Sequence, residues 1–278
     1  MSATRTTSIS ANGVSAPVAE AGPADATEAV VFLHGNPASR HDWLALLEPV
    51  AEQTGRRAIA FDLPGYGEAD KPKALPYTVE AYAAWLDGAL KELGVERVHL
   101  VLHDWGGPIG LRWAADHPER VASVVAINAG GLSAAYRWHS FAKVLRAPLL
   151  GPFLSATSTR AGFRALMRRL QPMLPEAEID RMSRLNDRRT RFAAMRLYRS
   201  VDDPGALPRE IAPVLAPKDI PALVLWGDKD PFITPEHAER AKDLFPSAEI
   251  VHLAGSGHWP MLDDPAAVRE RVVAFLAP

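Results

Sequence analysis

Short, wholly apolar segments alternate with longer segments of helical spacing along the first half of the chain. Four apolar runs predict strands, namely Val30–Leu33, Ala58–Phe61, Val98–Leu102 and Val121–Ile127. Between them, the spacing of apolar residues predicts helices from Trp43 to Gln53, from Thr78 to Leu93 and up to about His117. Strands with no polar face are typical of a parallel sheet that is covered by helices on both sides. The pattern therefore predicts an α/β fold.

The same kind of pattern extends to both ends of the chain. Thr6–Ser10 and Val14–Glu20 flank Asn12-Gly13, which predicts a β-hairpin. After residue 217, the alternation resumes with a strand Ala222–Trp226, a helix Pro235–Leu244, a strand Glu249–Leu253 and a helix from about Pro265 to Leu276. We therefore assign residues 1–129 and 218–278 to one α/β core domain.

Residues 130–217 interrupt the alternation, and we call this segment the helical insertion. It reads as helices separated by prolines, with no convincing strand. A structureless loop of this length would be unusual in a compact protein. In a parallel α/β sheet, ligands bind beyond the carboxyl ends of the strands. We therefore predict that the helical insertion forms a cap, or lid, domain over those ends.

Composition narrows the class of protein. The chain has 278 residues, 47% of them hydrophobic and 23% charged, which is ordinary for a globular protein. A net charge of −2 argues against a generic nucleic-acid binder, and the absence of cysteine excludes disulfides, Cys-ligated metals and a thiol nucleophile. No apolar run approaches the ~20 residues of a membrane span, and the N-terminus does not resemble a secretory signal. We expect a cytoplasmic enzyme of small molecules, without nucleic-acid or membrane partners.

Charge is concentrated in the helical insertion. Residues 129–217 contain 14 arginines and one lysine against seven acidic residues, a local balance of +8 in a chain whose net charge is −2. Such runs are usually solvated helix surfaces. The alternative is a positive lid that attracts or retains an anion. The sequence leaves both interpretations open.

Asp104 is the strongest candidate catalytic residue. It follows the strand Val98–Leu102 and precedes Trp105-Gly106-Gly107, where a helix begins. A strand that turns sharply into a helix through small residues is the nucleophile elbow, which usually carries serine. A carboxylate is a poor nucleophile at a carbonyl carbon but attacks an alkyl carbon that bears a leaving group. An aspartate at the elbow therefore indicates displacement at a carbon–halogen bond or an epoxide, through an ester intermediate.

Hydrolysis of that ester needs a base. His258 lies in Gly255-Ser256-Gly257-His258-Trp259-Pro260, directly after the last predicted strand. A catalytic histidine needs a carboxylate on its other ring nitrogen, and the loop after Ala222–Trp226 offers Asp230, with Asp228 in reserve. We choose Asp230 because it lies further into the loop, before a proline. The chain order of nucleophile, acid and histidine is that of the α/β-hydrolase triad.

Two further residues provide hydrogen-bond donors. Asn36 lies in His34-Gly35-Asn36-Pro37, just beyond the strand Val30–Leu33, and Trp105 follows the nucleophile. We expect their backbone N–H groups to form the oxyanion hole. Their side-chain N–H groups are neutral donors, which hold a departing halide without the cost of burying a cation.

With these residues the chain resembles the haloalkane dehalogenase and epoxide hydrolase branch of the α/β-hydrolase superfamily. The motifs that carry the resemblance are His34-Gly35-Asn36-Pro37, Asp62-Leu63-Pro64-Gly65-Tyr66-Gly67 with Asp70-Lys71-Pro72, the Asp104 elbow and Gly257-His258-Trp259-Pro260. The resemblance covers most of the chain from Val30 onward. It implies an eight-stranded, mostly parallel sheet with a helical cap after the sixth strand. The expected reaction converts a small apolar halogenated substrate and water into an alcohol, a halide ion and a proton, without a cofactor or metal.

Three functions stay open within this resemblance, and a haloalkane dehalogenase is the first. Leu102 and Asn36 look like dehalogenase residues, and Asn128 stands where some dehalogenases carry the acid, which favours Asp230. Epoxide hydrolases protonate the opening ring with two cap tyrosines, and Tyr198 in Leu197-Tyr198-Arg199 matches the second of these, whereas Tyr136 lies too early for the first. An epoxide hydrolase with the same triad is therefore the second candidate. A non-catalytic binding protein on the same fold is the third.

Overall fold

The computed structural model describes residues 3–277, so the first two residues and the last residue of the predicted core domain lie outside the described residues. Eight strands form one sheet. They are β1 (Arg5–Ala11), β2 (Val14–Ala21), β3 (Glu28–Leu33), β4 (Arg57–Phe61), β5 (Arg97–Asp104), β6 (Val121–Ala129), β7 (Ala222–Gly227) and β8 (Glu249–Leu253). Their spatial order is β1-β2-β4-β3-β5-β6-β7-β8. The first two pairings are antiparallel and the other five are parallel. The predicted mostly parallel, eight-stranded sheet is confirmed.

Eleven α-helices accompany the sheet within the described residues. They are α1 (Leu44–Thr54), α2 (Val79–Glu92), α3 (Gly106–Asp116), α4 (Ser140–Arg146), α5 (Leu150–Thr157), α6 (Arg160–Leu170), α7 (Glu176–Leu185), α8 (Arg188–Ser200), α9 (Ala206–Leu215), α10 (Pro260–Asp263) and α11 (Pro265–Leu276). The predicted cap of α2 is confirmed, because the Thr78 side chain accepts a hydrogen bond from the Ala81 N–H. None of these helices is long and apolar enough to cross a membrane. The expected cytoplasmic location stays a prediction.

The wholly apolar strands divide their side chains between two cores. In β3, Val31 and Leu33 pack on one face of the sheet with residues of α2 and α3, whereas Val30 and Phe32 pack on the other face with residues of α1 and α11. Successive side chains of a strand point to opposite faces, so both faces must be covered when every position is apolar. The buried sheet holds the carboxyl ends of β3, β5, β6 and β7 in fixed positions.

One predicted element has a different form. The segment predicted as a helix from Pro235 to Leu244 consists of two short 3₁₀ helices, Pro235–His237 and Glu239–Asp243. Its buried residues Ala238, Ala241 and Leu244 repeat every three positions. That is the period of a 3₁₀ helix rather than of an α-helix. Over ten residues, the two periods look alike in the sequence.

The helical insertion contains α4 to α9 and runs between β6 and β7, with no strand among its residues. Two contacts tie it to the rest of the protein near the sheet edge. The Tyr198 ring of α8 packs edge-on against Trp105 with 4.9 Å between the centroids, and Arg181 of α7 pairs with the buried Asp42. The insertion therefore lies against the residues that follow β5 and β3.

Candidate active site

Asp104 is the last residue of β5 and adopts a left-handed backbone conformation, with φ of 48°. A non-glycine residue rarely has positive φ, and such strain is characteristic of the nucleophile elbow. The side chain is buried but lines a cavity of about 390 Å³. The sharp bend thus presents a carboxylate to an enclosed space.

Glycines allow other loops to approach this bend. A β-carbon on Gly35 would lie 2.1 Å from Asp104 Oδ1, and one on Gly106 would lie 2.2 Å from the Leu33 carbonyl oxygen. Real β-carbons do not come so close to other atoms, so any side chain there would push the loops apart. The glycines of the two motifs are therefore required for the Asn36 loop to contact the Asp104 carboxylate.

The structure brings His258 between two carboxylates. Its Nδ1 lies 2.6 Å from Asp230 Oδ2, and its Nε2 lies 3.4 Å from Asp104 Oδ2. Asp230 Oδ1 accepts hydrogen bonds from the N–H groups of Phe232 and Ile233, at 2.7 and 3.1 Å. The Asp230 carboxylate is thereby fixed in orientation, and His258 carries its Nδ1 proton toward it. The other ring nitrogen faces the nucleophile candidate.

The two acid candidates of the β7 loop have different surroundings. Asp228 is exposed and pairs with the exposed His252, with 2.7 Å between Oδ1 and Nδ1. Asp230 is buried, and its Oδ2 also accepts a hydrogen bond of 2.8 Å from Asn128 Nδ2. The geometry favours Asp230 over the reserve candidate. Asn128, which stands where some dehalogenases carry the catalytic acid, instead donates a hydrogen bond to Asp230.

Burial and neighbouring charges shift the pKa values of these three groups in different directions. Burial alone raises the pKa of Asp104, but the hydrogen bond and the charge of His258 outweigh it and hold that pKa below its ordinary value. Asp230 behaves in the same way. Burial lowers the pKa of His258, yet the charges of Asp230 and Asp104 raise it well above its ordinary value. Asp104 is consequently ionised at neutral pH, as a nucleophile requires.

A second buried layer holds the motif loops together. His34 Nδ1 bonds to the Gly35 carbonyl at 2.8 Å, and His34 Nε2 accepts a hydrogen bond of 3.0 Å from the Leu63 N–H. Asp62 accepts hydrogen bonds from the N–H groups of Arg40 and Glu68 and pairs with the Arg40 guanidinium. The motifs after β3 and β4 therefore fold as one unit, with Asp62 and His34 in structural positions.

Asn36 and Trp105 both adjoin Asp104, but they line different cavities. The Asn36 N–H donates a hydrogen bond of 2.7 Å to Asp104 Oδ1, and Asn36 lines the 390 Å³ cavity, here called the main cavity. Trp105 lines a smaller cavity of about 50 Å³, to which Asp104 also contributes. Tyr198 and His139 line both cavities. The two residues expected to donate to the halide therefore line two different cavities, both of which border Asp104.

Aromatic residues at the start of the helical insertion enclose the smaller cavity. The Trp138 ring lies 5.8 Å from Trp105 and 5.4 Å from Tyr198, between centroids. Trp138 Nε1 is buried and has no hydrogen-bond partner among residues 3–277. Burial lowers the pKa of His139 to about 4, so this ring is neutral at neutral pH. The cavity is thus uncharged apart from Asp104, with an unused N–H donor.

Sequence reasoning missed several residues of this site. Gln171 is buried in the loop after α6, and its Oε1 accepts a hydrogen bond of 3.1 Å from the His258 N–H. Trp138 and His139 belong to no motif that links them to Asp104 in the sequence. Gln171 gave no signal at all, because its contact joins positions 87 residues apart. Only the folded chain brings these groups together.

The fold and the elbow define an α/β hydrolase that carries aspartate where many such enzymes carry serine. A model of the α/β hydrolase fold family matches residues 28–265, so the chain belongs to that family. It is 29% identical over 261 residues to haloalkane dehalogenase 1 of Mycobacterium tuberculosis, covering 88% of this chain and 83% of that protein. It is 28% identical over 270 residues to an uncharacterized protein of the same organism, with coverage of 93% and 76%.

A solved structure extends the comparison to the fold. Epoxide hydrolase A from Mycobacterium thermoresistibile superposes with a TM-score of 0.82 at 23% identity, over 99% of this chain and 98% of that one. These similarities fall within the haloalkane dehalogenase and epoxide hydrolase branch, which the sequence motifs indicated.

Proposed function

We propose that this protein is a hydrolase that cleaves carbon–halogen bonds of small apolar haloalkanes through an ester on Asp104. The observation that carries the proposal is the ionised, buried carboxylate at the elbow, 3.4 Å from a histidine that a second carboxylate holds. A carboxylate in this position attacks alkyl carbon rather than a carbonyl group. The dehalogenase relative and the apolar lining of the main cavity support it.

The first step forms the ester. Oδ2 of Asp104 attacks the halogen-bearing carbon, the carbon–halogen bond breaks, and the electron pair leaves with the halide. Oδ1 is the less available oxygen because it already accepts the Asn36 N–H. We expect the side-chain N–H groups of Asn36 and Trp105 to stabilise the halide. The unpaired Trp138 N–H in the smaller cavity is a further donor, and about 50 Å³ suits a single ion rather than an organic group.

The second step hydrolyses the ester. Alkylation removes the negative charge of Asp104, which is one of the two charges that raise the pKa of His258. The pKa of His258 therefore falls when the ester forms, so its Nε2 releases its proton to solvent and becomes free to accept one from water. It takes a proton from water, whose oxygen attacks the Asp104 carboxyl carbon. The resulting oxyanion lies at the N–H groups of Asn36 and Trp105. When it collapses, the carbon–oxygen bond to the alkoxide breaks and the alkoxide takes the proton that His258 holds. The regenerated Asp104 carboxyl then loses its proton to solvent, so one alcohol and one proton leave in addition to the halide.

Tyr198 supports a second candidate, an epoxide hydrolase with the same triad. Its ring is buried, lines both cavities beside Asp104, and packs against Trp105. A phenol in that position can donate a proton to the oxygen of an opening epoxide while Asp104 attacks carbon. In this reaction the product is a diol and no halide is released.

The experiment compares the two chemistries in one preparation. Halide release from brominated and chlorinated alkanes and diol formation from a panel of epoxides are measured for the native protein, Asp104→Ala and Tyr198→Phe. We expect halide release that Asp104→Ala abolishes and Tyr198→Phe retains within about threefold. Diol formation that Tyr198→Phe lowers at least tenfold, without halide release, would establish the second candidate instead. A ligand that binds tightly and is recovered unchanged would favour a non-catalytic binding protein.

A further inference from the structure

The main cavity has an uneven chemical lining. Most of its lining residues are apolar. About half of the lining residues come from α4, α5, α6 and α8 of the helical insertion. Asp104 is the one acidic residue that lines it among those described. Arg191 of α8 is the one arginine or lysine among them. An arginine in an apolar cavity is costly unless a partner offsets its charge. The contacts of Arg191 therefore show how the cavity accommodates its charge.

Arg191 has no carboxylate partner within the described part of the chain. Its Nε donates to the Ser155 carbonyl at 2.9 Å and its Nη1 to the Asn186 carbonyl at 2.7 Å. Its Nη2 makes no hydrogen bond with residues 3–277. Partial burial lowers the pKa of this guanidinium, but arginine stays charged at neutral pH. Two carbonyls thus hold the side chain in place without neutralising it.

Several other arginines of the helical insertion are neutralised on the protein. Ion pairs with acidic side chains join Arg137, Arg146, Arg164, Arg168, Arg181 and Arg209 to carboxylates. Arg189, two residues before Arg191 on the same helix, is exposed and does not line the cavity. Arg191 differs from both groups because it lines the cavity and, among the described residues, makes no ion pair with a carboxylate, although the charge of Asp187 acts on it from a longer distance.

Helix geometry sets the distance between this charge and the reacting group. Arg191, Ala194 and Tyr198 line the same cavity at positions i, i+3 and i+7, which is one face of α8. Seven residues of α-helix correspond to about 10 Å along the axis. Tyr198 lies at the Asp104 end, since it packs against Trp105. Arg191 and Tyr198 therefore lie about two helical turns apart along the cavity wall, with Tyr198 nearer to Asp104.

We propose that Arg191 binds the carboxylate of the substrate, so that the preferred substrate is a medium-chain carboxylic acid whose reactive carbon is at the opposite end of the chain. The inference rests on the proposed function for the reactive end. One arginine with one unused nitrogen matches a singly charged carboxylate better than a phosphate, which carries more charge and more acceptors. A chain of about eight carbon–carbon bonds of about 1.5 Å each, in zigzag form, spans the distance.

The test uses two bromides that differ only in charge. Steady-state kcat/KM for halide release is measured with ω-bromooctanoate and ω-bromooctanamide on the native protein, Arg191→Gln, Arg191→Lys and the matched control Arg189→Gln. We expect Arg191→Gln to lower kcat/KM for the acid by about 10- to 100-fold, the usual value of a hydrogen bond to a charged group, and to leave the amide within about threefold. Arg191→Lys should restore part of the loss, and Arg189→Gln should match the native protein.

A binding measurement separates this inference from the proposed function. Octanoate, which has no leaving group, is titrated calorimetrically into the native protein and Arg191→Gln. We expect binding that Arg191→Gln weakens by a similar factor. If neither bromide releases halide but octanoate binds in an Arg191-dependent way, the proposed function fails and the carboxylate site stands. Equal turnover of acid and amide, with octanoate binding unaffected by Arg191→Gln, overturns the carboxylate site and leaves the proposed function intact.

Discussion

The two oxygens of one side chain have separate tasks at this site. Asp104 Oδ1 accepts the Asn36 N–H at 2.7 Å, whereas Oδ2 faces His258 Nε2 at 3.4 Å. The oxygen without a backbone donor is the better nucleophile, and the other is already where an oxyanion would form. In the proposed mechanism, a single carboxylate therefore provides both the nucleophile and the atom that the oxyanion hole stabilises. A serine at the same elbow would divide these tasks between enzyme and substrate.

Removing the base should stop the reaction at the ester. In His258→Ala no group activates water, but Asp104 is still able to displace the halide. We expect one equivalent of halide per protein, no further turnover, and an intact mass increased by one alkyl group. Mass spectrometry after incubation with a bromoalkane measures this, with the double variant Asp104→Ala/His258→Ala as the control that should gain no mass. An unmodified His258→Ala protein would contradict the ester mechanism.

At the residue scale, the sequence indicates candidates where the signal is local. Asp104 and His258 stand out because glycines lie within a few positions of them, and the structure gives a steric reason for two glycines near Asp104, Gly35 and Gly106. Asp228 and Asp230 lie two residues apart, and only the proline after Asp230 favours it in the sequence, whereas their partners in the folded loop are clearly different. Contacts such as that of Gln171 with the His258 loop depend on how the helical insertion docks, which no local pattern encodes.

At the scale of elements, helix α7 contacts the rest of the protein through a buried charge pair as well as through the buried Ile179 and Met182. Arg181 Nη2 lies 2.7 Å from Asp42 Oδ1, and Arg181 Nη1 donates to Ser39 Oγ at 3.0 Å. The Asp42 side chain is fully buried, and its Oδ2 has no partner among the described residues. Burial raises the pKa of Asp42 to about 6 even with the arginine present. The pair thus holds α7 in place at a considerable desolvation cost.

Breaking this pair should be more costly than removing it. Arg181→Met leaves a buried carboxylate without a partner, and we expect the free energy of unfolding to fall by about 3 kcal/mol at pH 8. The loss should be smaller at pH 5, because a protonated Asp42 needs no cation. The double variant Asp42→Asn/Arg181→Met should recover most of it, and Arg184→Met, at an exposed position of α7, is the control. Urea unfolding measures the native protein and these three variants. Equal losses of stability in Arg181→Met and the double variant would refute the argument.

Element prediction fails where two periods coincide. The strands and most of the helices follow from hydrophobic patterns because a buried sheet has mainly apolar positions on both faces, as in β3. The segment from Pro235 to Leu244 has buried positions every three residues, which fits a 3₁₀ helix and, over ten residues, also an α-helix. The choice between them is made by packing against the sheet, which the sequence pattern alone does not contain.

At the scale of the whole molecule, several arginines of the helical insertion form ion pairs with carboxylates of the protein itself. Arg164 and Arg168 pair with carboxylates of α7, Arg209 pairs with Asp203, and Arg181 reaches Asp42. The solvated-surface interpretation of the arginine-rich stretch therefore accounts for many of these residues. The anion-binding interpretation narrows to Arg191, which lines the main cavity without an acidic partner.

Buried neutral histidines determine how the whole molecule responds to acid. Burial lowers the pKa of His34, lowers that of His103 to about 3 and lowers that of His139 to about 4. In the unfolded chain, histidine titrates near its ordinary pKa of ~6.5. Below that pH the unfolded state binds protons at these histidines that the folded state does not, so stability falls as pH falls. Asp42, with its raised pKa, takes up one proton in the folded state and opposes this.

The candidate catalytic groups do not change how the free energy of unfolding depends on pH between pH 6 and 4.5. The raised pKa of His258 contributes stability that is fully present below ~6.5 and is lost only as pH rises. The lowered pKa values of Asp104 and Asp230 contribute stability that is lost only as pH falls through their folded-state values, below the ordinary carboxyl range. The buried neutral histidines therefore set the sign of the change, and stability falls as pH falls from 6 to 4.5.

Urea unfolding at several pH values between 6 and 4.5 measures that slope. His139→Asn is the matched variant, because the His139 side chain caps α4 by accepting the Ala142 N–H and asparagine is also a good cap. It removes one titrating group without removing the cap, so the slope should fall by about 1.4 kcal/mol per pH unit. A free energy of unfolding that stays constant over this range in the native protein would mean that these histidines are protonated in the folded state. The hydrogen bond from the Leu63 N–H to His34 Nε2 requires the opposite, since a protonated nitrogen cannot accept it.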